Sequence, residues 1–291
     1  MKTHNRAGQL LLLVLAGLAG HTTLRAQSLN WEGQTGAFTT PFAYTAPSGK
    51  GIGRPAVGFH YLDAGPAIGG YYQSSVTVGL LKRAEFGYTR GFHQMGRDAA
   101  LSGLWTGGIN TVHAKLNVIP ENAGKHPWVP AVSGGFVARS QVRNVGGVLG
   151  NRDTHNGDVY VVATKTVTQV KGFPMVFSGG VRGTNASVFG LVGNAPGFQA
   201  RAFGGAAFVV RGPAKSSLIF GSEFSQQPRR VEGLPGAVIP TTVDYFVRIV
   251  PAPELAKLNV DFGVAQVAGA VLPGVHLGSR HQFAMGVSYQ F

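Results

Sequence analysis

The chain has 291 residues, 44 of them glycine, no cysteine, 12 acids against 25 Lys and Arg, and 44% apolar side chains. With only 13% charged residues it is too apolar for a disordered polyelectrolyte, and the lack of cysteine excludes disulfide scaffolds, thiolate metal sites and cysteine nucleophiles. Glycine at about twice its ordinary level of roughly 7%, without a three-residue period, excludes collagen and disfavours helices, which leaves strands and turns.

The N-terminus reads as a signal peptide over residues 1–26. Lys2 and Arg6 precede an apolar run from Leu10 to Ala19, which is too short to cross a bilayer as a helix of about 20 residues. Cleavage after Ala26 exports a chain that stays strongly basic. Residues 27–54 carry Trp31, Phe38, Phe42 and Tyr44 but no partner strand, and form either a periplasmic segment or one that folds into a lumen as a plug. The glycine-rich stretch 48–58 has Lys50 and Arg54 beside it, yet fits neither a phosphate loop nor a dinucleotide fingerprint. It reads as a flexible periplasmic linker.

From residue 55 to 291 the apolar residues alternate with a period of two, the strand period. Strands are expected at about 56–62, 70–80, 84–93, 108–118, 128–138, 158–170, 173–183, 198–211, 218–224, 243–249, 257–267 and 281–291. In the last of these, Phe283, Met285, Val287, Tyr289 and Phe291 share one face and Gln282, Ala284, Gly286, Ser288 and Gln290 the other. The links alternate too. Short ones follow Leu80, Ile119, Val170, Arg211 and Val250, and longer ones occupy 94–107, 139–157, 184–197, 226–240 and 268–280. An up-and-down meander with tight turns at one end and free loops at the other is the pattern of an outer-membrane barrel. A soluble β-sandwich shares the alternation, but its outer face would carry more Lys and Glu. The expected fold is therefore all-β: a transmembrane, antiparallel, up-and-down barrel of about 12 strands.

The stretches NWEGQTGAFTTPFAY, FGSEFSQQP, TTVDYFVRIVPAPELAKLNVDFGVAQVA and the closing GVSYQF carry a further signal. Through them the chain resembles a family of uncharacterised outer-membrane β-barrel proteins of Gram-negative bacteria. The resemblance covers the start and roughly the last third of the chain. It implies a barrel in the bacterial outer membrane with no established activity. Terminal Phe291, with Tyr289 two residues before it, resembles the signal by which the barrel assembly machinery recognises its clients.

Catalytic and cofactor chemistry is thin. The histidines show no HxH or HExxH spacing, so no metal site and no cofactor are expected. Residues 151–158, NRDTHNGD, misplace the glycine of a calcium loop and read as a polar surface loop ending in an Asn-Gly turn. His113, with Thr111 and Asn117 on the same strand face, is the nearest approach to a hydrolase constellation and lacks a nucleophile. No nucleic-acid motif accompanies the basic charge. Its natural neighbours are outer-membrane lipid and lipopolysaccharide phosphates, which Arg139, Arg143, Arg152, Arg229 and Arg230 could meet from long loops.

With the apolar strand faces toward lipid, Glu85, His113, Lys115, Arg182, Arg201, Glu223, Asp244, Arg248 and Asp261 line the lumen. Charges there need either water or partners. Asp244 and Arg248 lie about 13 Å apart along one strand, so each requires a counter-charge from elsewhere. The leading expectation is a narrow or gated pore, without catalysis, for a small polar solute or surface-polymer fragment. The alternative is a non-conducting structural or assembly barrel whose external loops bind lipopolysaccharide or exopolysaccharide; an embedded hydrolase ranks third.

Overall fold

The computed structural model describes residues 28–105, 107–142, 154–170, 173–233, 238–251, 255, 257–267, 271–272, 275–276 and 281–291. The signal peptide expected at 1–26 lies outside them, as do Arg143 and Arg152. Twelve strands form one closed antiparallel barrel: β1 (Ala56–Asp63), β2 (Gly69–Leu80), β3 (Ala84–Met95), β4 (Ile109–Ile119), β5 (Ala131–Val142), β6 (Thr154–Val167), β7 (Met175–Ser187), β8 (Gly193–Arg211), β9 (Ser217–Ser225), β10 (Thr242–Val250), β11 (Leu258–Val267) and β12 (Gln282–Gln290). Each pairs with its neighbour in sequence, and β12 closes on β1 with Gln290 opposite Ala56.

The period of two sets the faces. In β6, Thr154, Asn156, Asp158, Tyr160, Val162 and Thr164 are buried, whereas His155, Val159 and Val161 are exposed. The same holds around the barrel: Phe59, Phe86, Phe92, Val112, Phe136, Val181, Phe224, Tyr245, Phe262 and Phe283 face outward, while Glu85, Lys115, Arg139, Asp158, Glu223, Arg248 and Asp261 are buried inside. Water would not tolerate so large a continuous apolar exterior, whereas the hydrocarbon of a bilayer requires one. A closed barrel also leaves no strand edge unpaired, which is the condition for β structure in lipid. The protein is a β-barrel of the bacterial outer membrane.

Short links close one end. Arg83 N–H donates to Leu80 O at 3.1 Å across Leu81 (φ 53°) and Lys82 (φ 61°), a two-residue turn of the mirror type that matches strand twist. Ala214 (φ 50°) and Lys215 (φ 62°) do the same below β8. At the opposite end the loops are less uniform than the sequence suggested. β5 runs on to Val142, β6 starts at Thr154, and β7 and β8 extend to Ser187 and from Gly193, so the connections there shrink to 143–153 and 188–192. Most of the added residues are polar or glycine, and the alternation of apolar side chains therefore ends before the pairing does. Asn156 and Gly157, expected in a surface turn, sit within β6 opposite Arg139 and Ala138. The stretch expected as a flexible linker is tied to the barrel: Ile52 bridges to Leu80, Gly53 N–H donates to Gly79 O at 2.8 Å and Leu81 N–H to Gly51 O at 3.0 Å.

The outer face sets a first test. Val161 lies opposite Gly134 and Val181 in mid-sheet and is exposed. Val161→Arg should cost about 2–4 kcal/mol in equilibrium unfolding from lipid vesicles, whereas Leu81→Arg in the turn below β2 should cost no more than about 1 kcal/mol.

A candidate functional site in the barrel lumen

The lumen wall is polar, and residues 28–46 lie against it on every side. The segment is compact in itself. Ser28 and Leu29 pair with Gly36 and Thr35, and Asn30 Oδ1 accepts the N–H groups of Glu32 and Gln34 at 3.0 and 2.9 Å. Gly33 is at φ 83° with Thr89, Ser75 and His113 packed where a Cβ would stand, so glycine is required there.

Wall side chains grip the segment mainly by its backbone. On β9, Glu223 accepts the N–H groups of Phe38, Thr39 and Thr40 at 2.8, 2.9 and 2.8 Å, and also the Thr40 hydroxyl. On β3, Glu85 accepts from Thr35 N–H at 3.0 Å and Ala46 N–H at 2.7 Å. Lys115 of β4 pairs with Glu85 at 2.9 Å and donates to Thr35 O and Phe42 O at 2.8 and 2.9 Å. Arg248 of β10 pairs with Asp261 of β11 at 2.7 Å and donates to Gly36 O and Ala37 O at 3.2 and 2.9 Å. Lower down, Asn117 and Ser133 donate to Ala43 O, and Tyr44 donates to Glu121 at 2.9 Å. Burial raises the pKa of that phenol and keeps it a donor. Apolar contacts fill between these bonds: Phe38 stacks on Phe246 with centroids 6.3 Å apart, and Trp31 and Phe38 both meet the edge of His60.

Toward the loop end a second network takes over. Arg139 lies between Glu32 of the segment at 2.6 Å and Asp158 of β6 at 2.8 Å, all three buried. Arg182 stands 3.9 Å from the same Asp158 carboxylate, donates to Ser225, and lies over the rings of Phe189 and Phe203. Above this cluster the β7–β8 hairpin tip folds inward after a register shift between Asn194 and Gln199. Val188, Phe189 and Gly190 adopt φ of 48°, 56° and 82°, a conformation that costs a β-branched or bulky residue about 1–3 kcal/mol. Two bonds hold the tip: Val188 N–H to Gln227 Oε1 at 2.8 Å, and Trp105 Nε1–H from the loop after β3 to Leu191 O at 2.6 Å. Trp105 meets Tyr71 edge-on, and Leu191 joins Trp31, Tyr71, Ile109 and Val142 in an apolar cap.

The residues singled out in the sequence are distributed as follows. Glu85, Lys115, Glu223, Arg248 and Asp261 meet on the segment, and Arg182 belongs to the upper network. Asp244 accepts from Thr39 Oγ1 at 2.5 Å and stands opposite Glu223 rather than a cation; a hydroxyl donor stands in place of the counter-charge expected for it. His113 is buried 3.4 Å from Thr77 Oγ1. Arg201 lies half-buried at the rim, donating to Gln227 O at 2.9 Å. Tyr289 and Phe291 meet edge-on at 5.0 Å, with Phe291 N–H on Pro55 O. Arg139 is not the loop residue expected. Its strand continues past Ala138, and its phase with buried Ser133 and Val137 turns it inward. Sequence reading missed Glu32, His60, Asp158 and Tyr160 as well. The last two share the inward phase of β6, whereas Glu32 has no periodic signal because its segment is irregular.

The model of the family described as "Protein of unknown function (DUF3034)" matches residues 30–259. Among solved structures, the chain is similar to the NanC porin at 10% identity (81% of this chain, 100% of that chain, TM-score 0.47) and the KdgM porin at 9% (81%, 99%, 0.46). It is also similar to an outer membrane channel from Pseudomonas putida F1 at 12% (88%, 100%, 0.42). No curated protein matches.

Breaking the upper network gives a second test. Arg139→Met strands buried Glu32 and leaves Asp158 only the more distant Arg182 at 3.9 Å, and should cost about 3–5 kcal/mol in unfolding from vesicles. Adding Glu32→Gln should return part of the loss, because one of the two charges is then gone.

Proposed function

We propose that this chain, which belongs to the DUF3034 family, is an outer-membrane channel closed at rest by its own N-terminal segment, and that displacing the segment opens a path for a small polar solute or surface-polymer fragment. One observation carries the reading: the wall holding the segment is lined with ionisable and hydroxyl groups, among them Glu85, Lys115, Glu223 and Arg248, that bind it chiefly through main-chain atoms. A lumen closed for good is stabilised equally well by apolar packing, and often better, because buried charges carry a large desolvation cost. A wall of charges and hydroxyls suits a surface that also meets water. No catalytic step is part of this reading, and neither cofactor nor metal is.

A second reading has its own support. The inward-folded β7–β8 tip and Trp105 cap the segment from the loop side, as a permanently shut structural or assembly barrel would have it. Exposed Arg229 and Arg230 would then serve external contacts with lipopolysaccharide or exopolysaccharide.

Planar-bilayer recording separates the two. The full-length protein should be nearly silent at low voltage, and deletion of residues 28–46 should give steady conductance and admit small sugars into liposomes. In that variant Arg248→Gln should shift ion selectivity toward cations, since a wall cation is lost. A deletion variant that assembles with ordinary heat-modifiable mobility yet stays silent would defeat the channel reading and leave the closed barrel.

A further inference from the structure

The outward faces of the strands are built mainly from Phe, Val, Tyr, Leu, Ala and Gly, and Arg90 interrupts them. It stands on β3 in phase with exposed Phe86, Tyr88 and Phe92 and out of phase with buried Glu85 and Thr89. Its guanidinium is fixed in place. Nη1 donates to Asn110 Oδ1 at 3.0 Å and Gln141 Oε1 at 3.2 Å, Nη2 donates to Gly107 O at 2.9 Å, and the group lies 5.5 Å over the Phe92 ring. The clamp is itself braced, with Tyr88 Oη–H donating to Asn110 Oδ1 at 2.6 Å and Asn110 Nδ2 to Gln141 Oε1 at 2.6 Å.

Every one of those acceptors is neutral. Among the described residues no carboxylate stands within ion-pair distance of Arg90, whereas Lys165, also on an outward face, has Glu121 at 3.1 Å. A guanidinium has five N–H donors, of which the clamp uses three. Nε–H and one Nη2 hydrogen remain, the side-on fork that fits two oxygens of a phosphate. The position fits as well. Asn110 opposite Arg90 is the second residue of β4, next to the loop that carries Gly107, so the charge lies at the loop-side margin of the apolar band. An arginine is tolerated there, while deeper on the lipid face it is costly. The loop side faces the outer leaflet.

We propose that Arg90, held by Asn110 and Gln141, binds a phosphate group on a lipid headgroup of the outer leaflet. The site is independent of whether the lumen opens.

The test uses the full-length protein in neutral detergent micelles and a fluorescent diphosphoryl lipid A, with the fully dephosphorylated glycolipid as its control. The wild type should bind the phosphorylated lipid about tenfold more tightly, which corresponds to about 1.4 kcal/mol. Arg90→Gln should lose that preference while keeping heat-modifiable mobility, and Arg90→Lys should keep only part of it, since an ammonium lacks the fork. Equal affinity of the wild type for the two lipids would overturn the proposal without reference to any variant. So would an Arg90→Gln protein that folds and keeps the preference. Displacement of the lipid by millimolar inorganic phosphate would overturn the lipid assignment and leave a site for the free anion.

Discussion

A carboxylate inside a filled barrel has neither bulk water nor lipid to solvate it, and the arrangement of the lumen follows from how such groups are satisfied. Glu223 takes three main-chain N–H groups from Phe38 to Thr40, and Glu85 divides its oxygens between Lys115, Thr35 and Ala46. These bonds fix the course of the segment more than its side chains do, because N–H groups must converge on two points of the wall. The turn at Gly33 and the bend from Gly36 to Pro41 bring them there. An unpaired carboxylate in that space would be far more destabilising than any single contact is stabilising, so segment and wall specify one another.

The same constraint explains the two levels of the lumen. Near the turns, neutral groups meet the single residue Ala43, whose carbonyl accepts from Asn117 and Ser133 and whose N–H donates to Thr164 Oγ1, and the segment leaves through this end. Near the loops the segment contributes a charge of its own, Glu32, and the wall answers with Arg139, itself shared with Asp158. The inward-folded tip above brings apolar Leu191 and the ring of Phe189. Its left-handed Val188 and Phe189 are backbone strain that the bonds from Trp105 and to Gln227 offset.

Much of this was legible from the chain alone, for a physical reason. In lipid the two faces of a strand meet opposite solvents, so alternation survives in sequence strongly enough to give the twelve strands, the closed barrel and the inward phase of Glu85, Lys115, Glu223, Arg248 and Asp261. The signal fades where both faces become polar. That is why β5, β6, β7 and β8 run further than expected and why Arg139 and Asn156 were placed in loops. The partners of the inward charges were not legible, since pairing depends on register between strands far apart in sequence and on the irregular path of residues 28–46. Asp244 shows the limit: spacing indicates that it cannot pair with Arg248, but not that a threonine hydroxyl would take the place of a cation.

The place where the barrel closes adds a mechanical consequence. β1 and β12 join residues from the two extremes of the strand order, Ala56 beside Gln290, and closing so long a loop is the entropically hardest pairing in the sheet. The N-terminal segment straddles that joint: Ser28 Oγ lies 2.8 Å from Ser288 Oγ on β12, and Leu29 O meets His60 Nε2 on β1 at 3.1 Å. Pulling the two strands apart therefore breaks the ladder and this clasp together. The hairpin of residues 28–36 is in this sense a thirteenth structural element, a rivet through the seam that ties the first strand to the last.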